Sequence, residues 1–600
     1  MQATEIDKKY FFCKAHKRTA LLSAALLALL LSACAAPMAG NGPRSAAQPV
    51  EIGIAAFNDF HGNLEPPRQP VATPDGNGGT VLVPAGGAAW FASALDSIRA
   101  KYAHHLTVSA GDMISASPLA SSLYLDEPTI GVMNRLGLDF NAVGNHEFDR
   151  GREELQRMQN GGCAKLTSKQ PCQIEQFKGA KFRYLAATTR LPGGQTLFPA
   201  SALRTFGKGT QKVTVGVIGL TLKGTAELVD AVRIAGLTFA DEATTINAEV
   251  PRLKAAGADA IVLVIHEGGK TTGAPDPQGC AGLAGGIRPI LDALEPGVDV
   301  VVSGHTHWDY ICDYPGRDPA RPMLLTSAGF YGREITDITL TIDPAAHRVV
   351  ARRARNVIVQ SEPFTSARGS VAVTPLFPQF APRADIAAYV KTYADAAKEL
   401  ATRPVGKLSG PASRGEGALA STGGTLGNLI ADAQLAATRR AGAQIAFTNP
   451  FGNRAAIVPA ADGSVSFGSI YLAQPFGNRL ITKTMTGAEI KAVLEQGLDG
   501  TRPEQVLAPS AGLVFRFDRT RAPGNRVVSL TLNGAQLDPA ARFRVTINSF
   551  LASGGDGFTG FAGKPEAITG AVDLEALEAY LRAADAREVP HENRTELVGG

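Results

Sequence analysis

Six hundred residues are too many for one hydrophobic core and should divide into at least two domains. An ordinary composition, 44% hydrophobic and 19% charged, excludes a disordered or fibrous chain. Five Lys/Arg and two acids within residues 1–33 account for three of the four net positive charges, so the remainder is close to neutral and has no nucleic-acid footprint.

Lys8, Lys9, Lys14, Lys17 and Arg18 precede an apolar run from Ala20 to Leu31, followed by Ser32-Ala33-Cys34. The run is too short to span a bilayer and reads as an export signal. Leu31-Ser32-Ala33-Cys34 resembles a bacterial lipobox, in which Cys34 is lipidated; ordinary cleavage with a soluble product is the alternative. Ala35 favours the outer membrane, so the expected location is periplasmic, with membrane contact only through the anchor. The expected division is a signal peptide at 1–34, a tether at 35–49, a first domain at 50–356, a linker with a helix at 357–402 and a second domain at 403–590.

In the first domain, strands are expected at Val50–Phe57, Leu106–Ser109, Phe140–Val143, Lys212–Leu220, Ala260–Ile265, Val298–Val302, Met323–Thr326 and Ile335–Ile342. Helices are expected at Ala88–Tyr102, Pro128–Leu136 and Asn247–Ala256, and 66–87 reads as a loop. A linker helix is expected at Asp385–Leu400. In the second domain, helices are expected at Leu426–Thr438, Gly487–Leu498 and Leu574–Ala583. Its expected strands are Gln444–Thr448, Leu513–Phe517, Val527–Leu532 and Phe543–Ile547. Continuous apolar strands alternating with helices mean sheets buried by helices, an α/β architecture whose site lies at the carboxyl ends of the strands.

Five of the expected strands end in polar clusters: Asp59-Phe60-His61, Gly111-Asp112, Gly144-Asn145-His146-Glu147-Phe148-Asp149, His266-Glu267 and Gly304-His305-Thr306-His307. They hold five of the ten His residues. Any one is weak; all five in this order, each at a strand end, point to one two-metal site that hydrolyses phosphate esters. Asp59, His61, Asp112 and His307 are assigned to the first metal, and Asp112, Asn145, His266 and His305 to the second, with Asp112 bridging. This mixture of ligands suits Zn, Mn, Co or Fe better than Ca. His146 would face the substrate, held protonated by Asp149, and assist the leaving alcohol. Glu147 and Glu267 read as supporting residues. Outside the signal, Cys163, Cys172, Cys280 and Cys312 favour disulfides in an exported protein. Cys163–Cys172 and Cys280–Cys312 are the preferred pairs among three possible pairings; a zinc knuckle is disfavoured because no further ligand stands at finger-like spacing.

With these motifs the chain resembles a calcineurin-like metallophosphoesterase, and more narrowly the bacterial periplasmic 5′-nucleotidase family. In the second half the resemblance rests on Leu426-Gly427-Asn428-Leu429-Ile430-Ala431-Asp432-Ala433, Asn449-Pro450-Phe451-Gly452-Asn453-Arg454, Pro475-Phe476-Gly477-Asn478, and Phe550 with Gly554-Gly555-Asp556-Gly557-Phe558. It implies a catalytic domain of two β-sheets sandwiched by helices and a separate C-terminal nucleotide-binding α+β domain, joined by a linker helix. It further implies that Phe476 and Phe550 stack on the base, Asp556 binds ribose hydroxyls, and Asn449 and Arg454 hold the ribose or phosphate side. The family usually places one or more Arg and a Glu before the Gly-Asn-Leu helix. Here Ala420-Ser421-Thr422-Gly423-Gly424 stands there, and Arg414 is the nearest basic residue. Asp149, where similar cyclic-nucleotide phosphodiesterases tend to carry Asn, favours monoester hydrolysis. The expected activity is a dinuclear-metal 5′-nucleotidase acting on nucleoside monophosphates, and on pyrophosphate bonds of NAD or nucleotide sugars as a further option. The alternatives are a 2′,3′-cyclic phosphodiesterase, a thiosulfohydrolase-like relative, or a surface nucleotide-binding protein with little turnover.

Overall fold

The computed structural model of the protein describes residues 48–599 apart from 168, 273–278, 317, 321, 367–368, 564–567 and 592. The expected signal segment, Cys34 and the tether up to residue 47 lie outside the described residues.

Two six-stranded sheets build the first half. One runs Arg348–Ile358, Glu334–Asp343, Val50–Phe57, His105–Ser109, Phe140–Ala142 and Arg183–Leu185 in spatial order. The other runs Asp309–Tyr314, Met323–Ala328, Val300–Ser303, Ala260–His266, Val213–Thr221 and Ser201–Phe206. Because side chains alternate along a strand, each sheet sends one set inward and one outward. Ile52, Ile54, Leu106 and Val108 meet Val215, Val217, Val262 and Val264 between the sheets. Ala55 and Phe57, from the opposite face, pack against the helices Ala88–Arg99 and Glu127–Leu136. Ile218, Leu220, Ile261 and Leu263 pack against Glu242–Ala255 and Ile287–Ala293. This accounts for the unbroken apolar strands: both faces are buried.

The second half holds a five-stranded sheet, Ala508–Pro509, Ile445–Thr448, Arg542–Asn548, Arg479–Thr486 and Ile568–Val572 in spatial order, and a four-stranded one. The helices Gly424–Thr438 and Asp573–Arg582 share one core, and Gly487–Gln496 lies in another. Thr486 starts the latter with a capping box: its hydroxyl accepts from Glu489 N at 3.2 Å while Glu489 accepts from Thr486 N at 2.8 Å. The linker helix Ala384–Thr402 is packed along its length, with Tyr393 and Ala397 in a cluster that joins Leu119 and Tyr124 of the first half to Tyr471 of the second.

Several elements differ from expectation. Residues 66–87 contain a hairpin, Val71–Pro74 with Thr80–Val83. The helix expected from Asn247 begins at Glu242, because Asp241 caps it by accepting from Thr244 N at 3.0 Å. Arg348–Ile358, at 11 residues the longest strand of the first half, was not expected. It is a sheet edge whose arginines hide its period, and charge on an edge discourages pairing with other chains. Both expected disulfides are present, with Cα–Cα distances of 5.6 Å for Cys163–Cys172 and 5.7 Å for Cys280–Cys312.

Asp573 is buried at the start of the last helix and accepts from Leu574 N, while its own N–H holds Asn478 O at 2.8 Å. Burial pushes its carboxyl up to about 7, against the hydrogen bonds it accepts. A raised acid pKa stabilises the fold fully below the unfolded value, and that stability is lost as pH rises through about 7. Between about pH 5 and about pH 7.5 the wild-type chain is expected to lose about 2 kcal/mol from this group, and Asp573→Asn to lose none of it. Melting midpoints of the two proteins across that range check the expectation.

Candidate active site

The parallel registers Phe57–Ser109 and Ser109–Asn141 in one sheet, and His266–Thr221 and Ile265–Ser303 in the other, bring the carboxyl ends of the strands to one rim. Asp59 N donates to Gly111 O and His61 N to Asp112 O, both at 3.0 Å, which lock the first two turns together. Asp59, His61, Asp112, His305 and His307 all have φ between 46° and 71°. Non-glycine residues pay for that conformation, and such strain clusters at functional sites. Close approach demands two glycines. A Cβ on Gly111 would sit 2.7 Å from His266 Nδ1, and one on Gly144 only 2.2 Å from Asp112 Oδ1.

All seven expected ligands converge. Asp59, His61 and His307 present ligand atoms within 4.8 Å of one another, and so do Asp112, His266 and His305. Asp112 joins the groups: its Oδ2 is 3.0 Å from His266 Nε2 and 3.7 Å from His61 Nε2. Asn145 Oδ1 is 3.1 Å from His266 Nε2. The donor set fits cations. His61 Nδ1 donates to Ser115 O at 3.0 Å and His266 Nδ1 to Ala110 O at 2.7 Å, so in each ring Nε2 is the nitrogen that faces the cluster. Against burial, the Asp112 carboxylate raises His266 to about 10, a proton whose place a cation would take. His61 Nε2 and His307 Nε2 face each other at 3.2 Å. Burial, with His266 close by, lowers His305 to about 3, and burial holds His61 well below the usual imidazole value, so both rings are neutral. A buried convergence of carboxylate oxygens, an amide oxygen and imidazole lone pairs is satisfied by divalent ions.

Glu147 braces the loops by accepting from Asp112 N, Met113 N and Gly144 N at 2.8–2.9 Å. His146 N donates to Asp112 Oδ1 at 2.9 Å, and His146 Nδ1 contacts Asp149 Oδ2 at 2.8 Å. Burial alone would lower the His146 pKa; the Asp149 and Asp112 carboxylates outweigh it and raise the pKa above the usual imidazole value.

A cleft of about 1740 Å³ runs from this cluster into the second half and is lined by Arg414, Asn449, Arg454, Phe476, Phe550 and Asp556, among others. Asn449 Nδ2 donates to Asp556 Oδ2 at 2.8 Å, and Asn548 Nδ2 to Asn449 Oδ1 at 3.0 Å. Burial pushes Asp556 up to about 6, against the Asn449 bond. Arg454 Nη2 is buried with no hydrogen-bond partner among the described residues, a donor left for an oxyanion. Arg414 lines the same cleft, so a guanidinium is supplied there despite the altered segment at 420–424. Phe330, not anticipated, stacks on His307 with 4.9 Å between centroids, and Arg333 lies 3.7 Å from the Phe330 centroid. Phe330 and Tyr331 follow the strand Met323–Ala328, another strand end on the same rim, which is the signal that could have found them.

Residues 52–309 match the model of the calcineurin-like phosphoesterases and residues 404–563 that of the 5′-nucleotidase C-terminal domain. The chain belongs to the 5′-nucleotidase family. It is similar to the cell wall protein Lmo0130 of Listeria monocytogenes, 30% identical over 89% of this chain and 67% of that protein. It is also similar to the endonuclease YhcR of Bacillus subtilis, 28% identical over 92% of this chain but only 42% of that longer relative. Among solved structures, a 5′-nucleotidase precursor from Thermus thermophilus superposes with a TM-score of 0.70 at 26% identity, covering 91% of this chain and 99% of that one. Family membership places this 5′-nucleotidase relative among the metallophosphoesterases, which are hydrolases.

Proposed function

We propose that the protein hydrolyses nucleoside 5′-monophosphates, with residues 50–356 as the catalytic domain, 357–402 as the linker and 403–590 as the nucleotide-binding domain. The observation that carries this reading is the continuity of one cleft. It joins seven converging ligand residues to a guanidinium whose buried Nη2 has no hydrogen-bond partner among the described residues and to two partly buried phenyl rings.

A pair of divalent ions held by Asp59, His61, Asp112, Asn145, His266, His305 and His307 would supply Lewis-acid charge for the phosphoryl group and an activated water. Zn, Mn, Co or Fe suits the ligands. Asp149 keeps the His146 ring oriented through Nδ1, so that Nε2 directs its proton at the departing ribose 5′-oxygen. Arg454 Nη2 donates to a phosphoryl oxygen as charge builds. Asp556 accepts from the ribose hydroxyls and Asn449 holds that carboxylate in place. Phe476 and Phe550 offer flat apolar faces to the base.

Cleft size supports a second substrate class. Its volume exceeds the roughly 300–1,000 Å³ usual for small-molecule sites, and Lys270 and Arg414 line it without a carboxylate partner among the described residues. Those features favour dinucleotides or nucleotide sugars, cut at the pyrophosphate. The two disulfides favour an oxidising compartment, and the periplasm with a lipid anchor at Cys34 is the proposed location.

The test is phosphate release by metal-loaded protein from AMP, NAD, a nucleotide sugar and a 2′,3′-cyclic nucleotide. AMP is expected to be hydrolysed with the highest kcat/KM. Preference for the cyclic compound, or no turnover of any, would reject the assignment.

A further inference from the structure

His146 is held in three ways. Its backbone N–H donates to Asp112 and its Nδ1 meets Asp149. Its ring then lies against Phe476, with 5.6 Å between centroids and 10° between planes, an offset stack. The Asp149 bond fixes one atom of the imidazole but leaves the ring free to swing about that bond, and such a swing moves Nε2 out of line. A flat plate on the ring face blocks it. The neighbouring His307 is plated in the same manner by Phe330, and Phe330 is backed by Arg333. The difference lies in origin. Phe330 belongs to the half that carries the metal cluster, whereas Phe476 crosses the cleft from the other half.

The Phe476 loop is itself anchored. Asn478 O accepts from Asp573 N at 2.8 Å, and Gly477, at φ +65° with open space around it, makes the turn. The two halves also meet elsewhere along the cleft. Arg502 Nε donates to Glu227 Oε2 at 2.9 Å, and the Thr225–Leu228 turn touches Gly555–Gly557. The stack is therefore one of several contacts made across the cleft in this arrangement.

We propose that Phe476 is a positioning residue for His146, so that the imidazole is fully held only with a side chain supplied by the second half; this rests on the reading of His146 as the acid. One face of Phe476 restrains the ring and the other is left to the cleft, so the residue that meets the base also sets the group that acts on the phosphoester.

The experiment compares AMP with ribose 5-phosphate, which lacks the base, on metal-loaded wild type, Phe476→Ala, Phe476→Leu and Phe476→Tyr. On ribose 5-phosphate, kcat is expected to fall by about 10- to 100-fold in the Ala and Leu variants and to be restored by Tyr. The Ala change is expected to add nothing in a His146→Ala background, as required of two residues acting through one ring. An unchanged kcat on ribose 5-phosphate, with only the KM for AMP raised, would mean that Phe476 is a base platform alone and would overturn the proposal. An equal loss with and without His146 would also overturn it. Wild-type protein inert on both compounds would instead reject the nucleotidase reading, a result distinct from a failure confined to Phe476.

Discussion

His146→Ala is expected to lower kcat on AMP by about 10²- to 10⁴-fold while the metal content of the protein stays at the wild-type level. The size follows from the work assigned to the ring. A positioned acid contributes that much when the leaving group is an alkoxide, and no neighbouring imidazole is free to replace it. His61, His266, His305 and His307 all turn nitrogen into the ligand cluster. Metal content is spared because His146 contacts Asp112 only through its backbone N–H, which alanine keeps. Elemental analysis alongside steady-state kinetics checks both halves of the expectation. Loss of metal from this variant would show that His146 is a ligand and that the acid lies elsewhere.

Asp112→Ala is expected to release both metals and to reduce turnover by at least about 10³-fold, since Lewis-acid stabilisation contributes several kcal/mol. Asp112 lies within reach of both groups, through His266 on one side and His61 on the other. It also accepts the His146 N–H. Its removal leaves His266 and His305 without the carboxylate of their group, takes from His61 the carboxylate 3.7 Å away, and removes the contact that seats His146. Metal equivalents per chain after dialysis decide the matter. Retention of two equivalents would mean that Asp112 does not bridge.

The rim of the first half was legible because its chemistry sits where parallel strands end. Each polar cluster follows an apolar run, and the strands Val50–Phe57 and Ala260–His266 are buried on both faces. The second half was harder to read. Its strand Arg479–Thr486 breaks the period of two, with Leu480-Ile481 apolar and Thr482-Lys483-Thr484 polar in succession, so no strand was expected there. Yet Lys483 is buried there, its ammonium donating to Ala552 O and Phe561 O. Aromatic plates were invisible for a different reason. Phe330 meets His307 from a nearby strand end, but Phe476 meets His146 from far along the chain, and no spacing encodes a contact made between the two halves. The hairpin within 66–87 was concealed by its Gly and Pro content, which marks turns without revealing what they join.

The most direct measurement is AMP hydrolysis by metal-stripped protein as divalent metal is added back in counted equivalents. Activity should be absent without metal and rise to a plateau at two equivalents per chain. Saturation at one equivalent, or turnover by the stripped protein, would contradict a site in which Asp112 is shared between two ions.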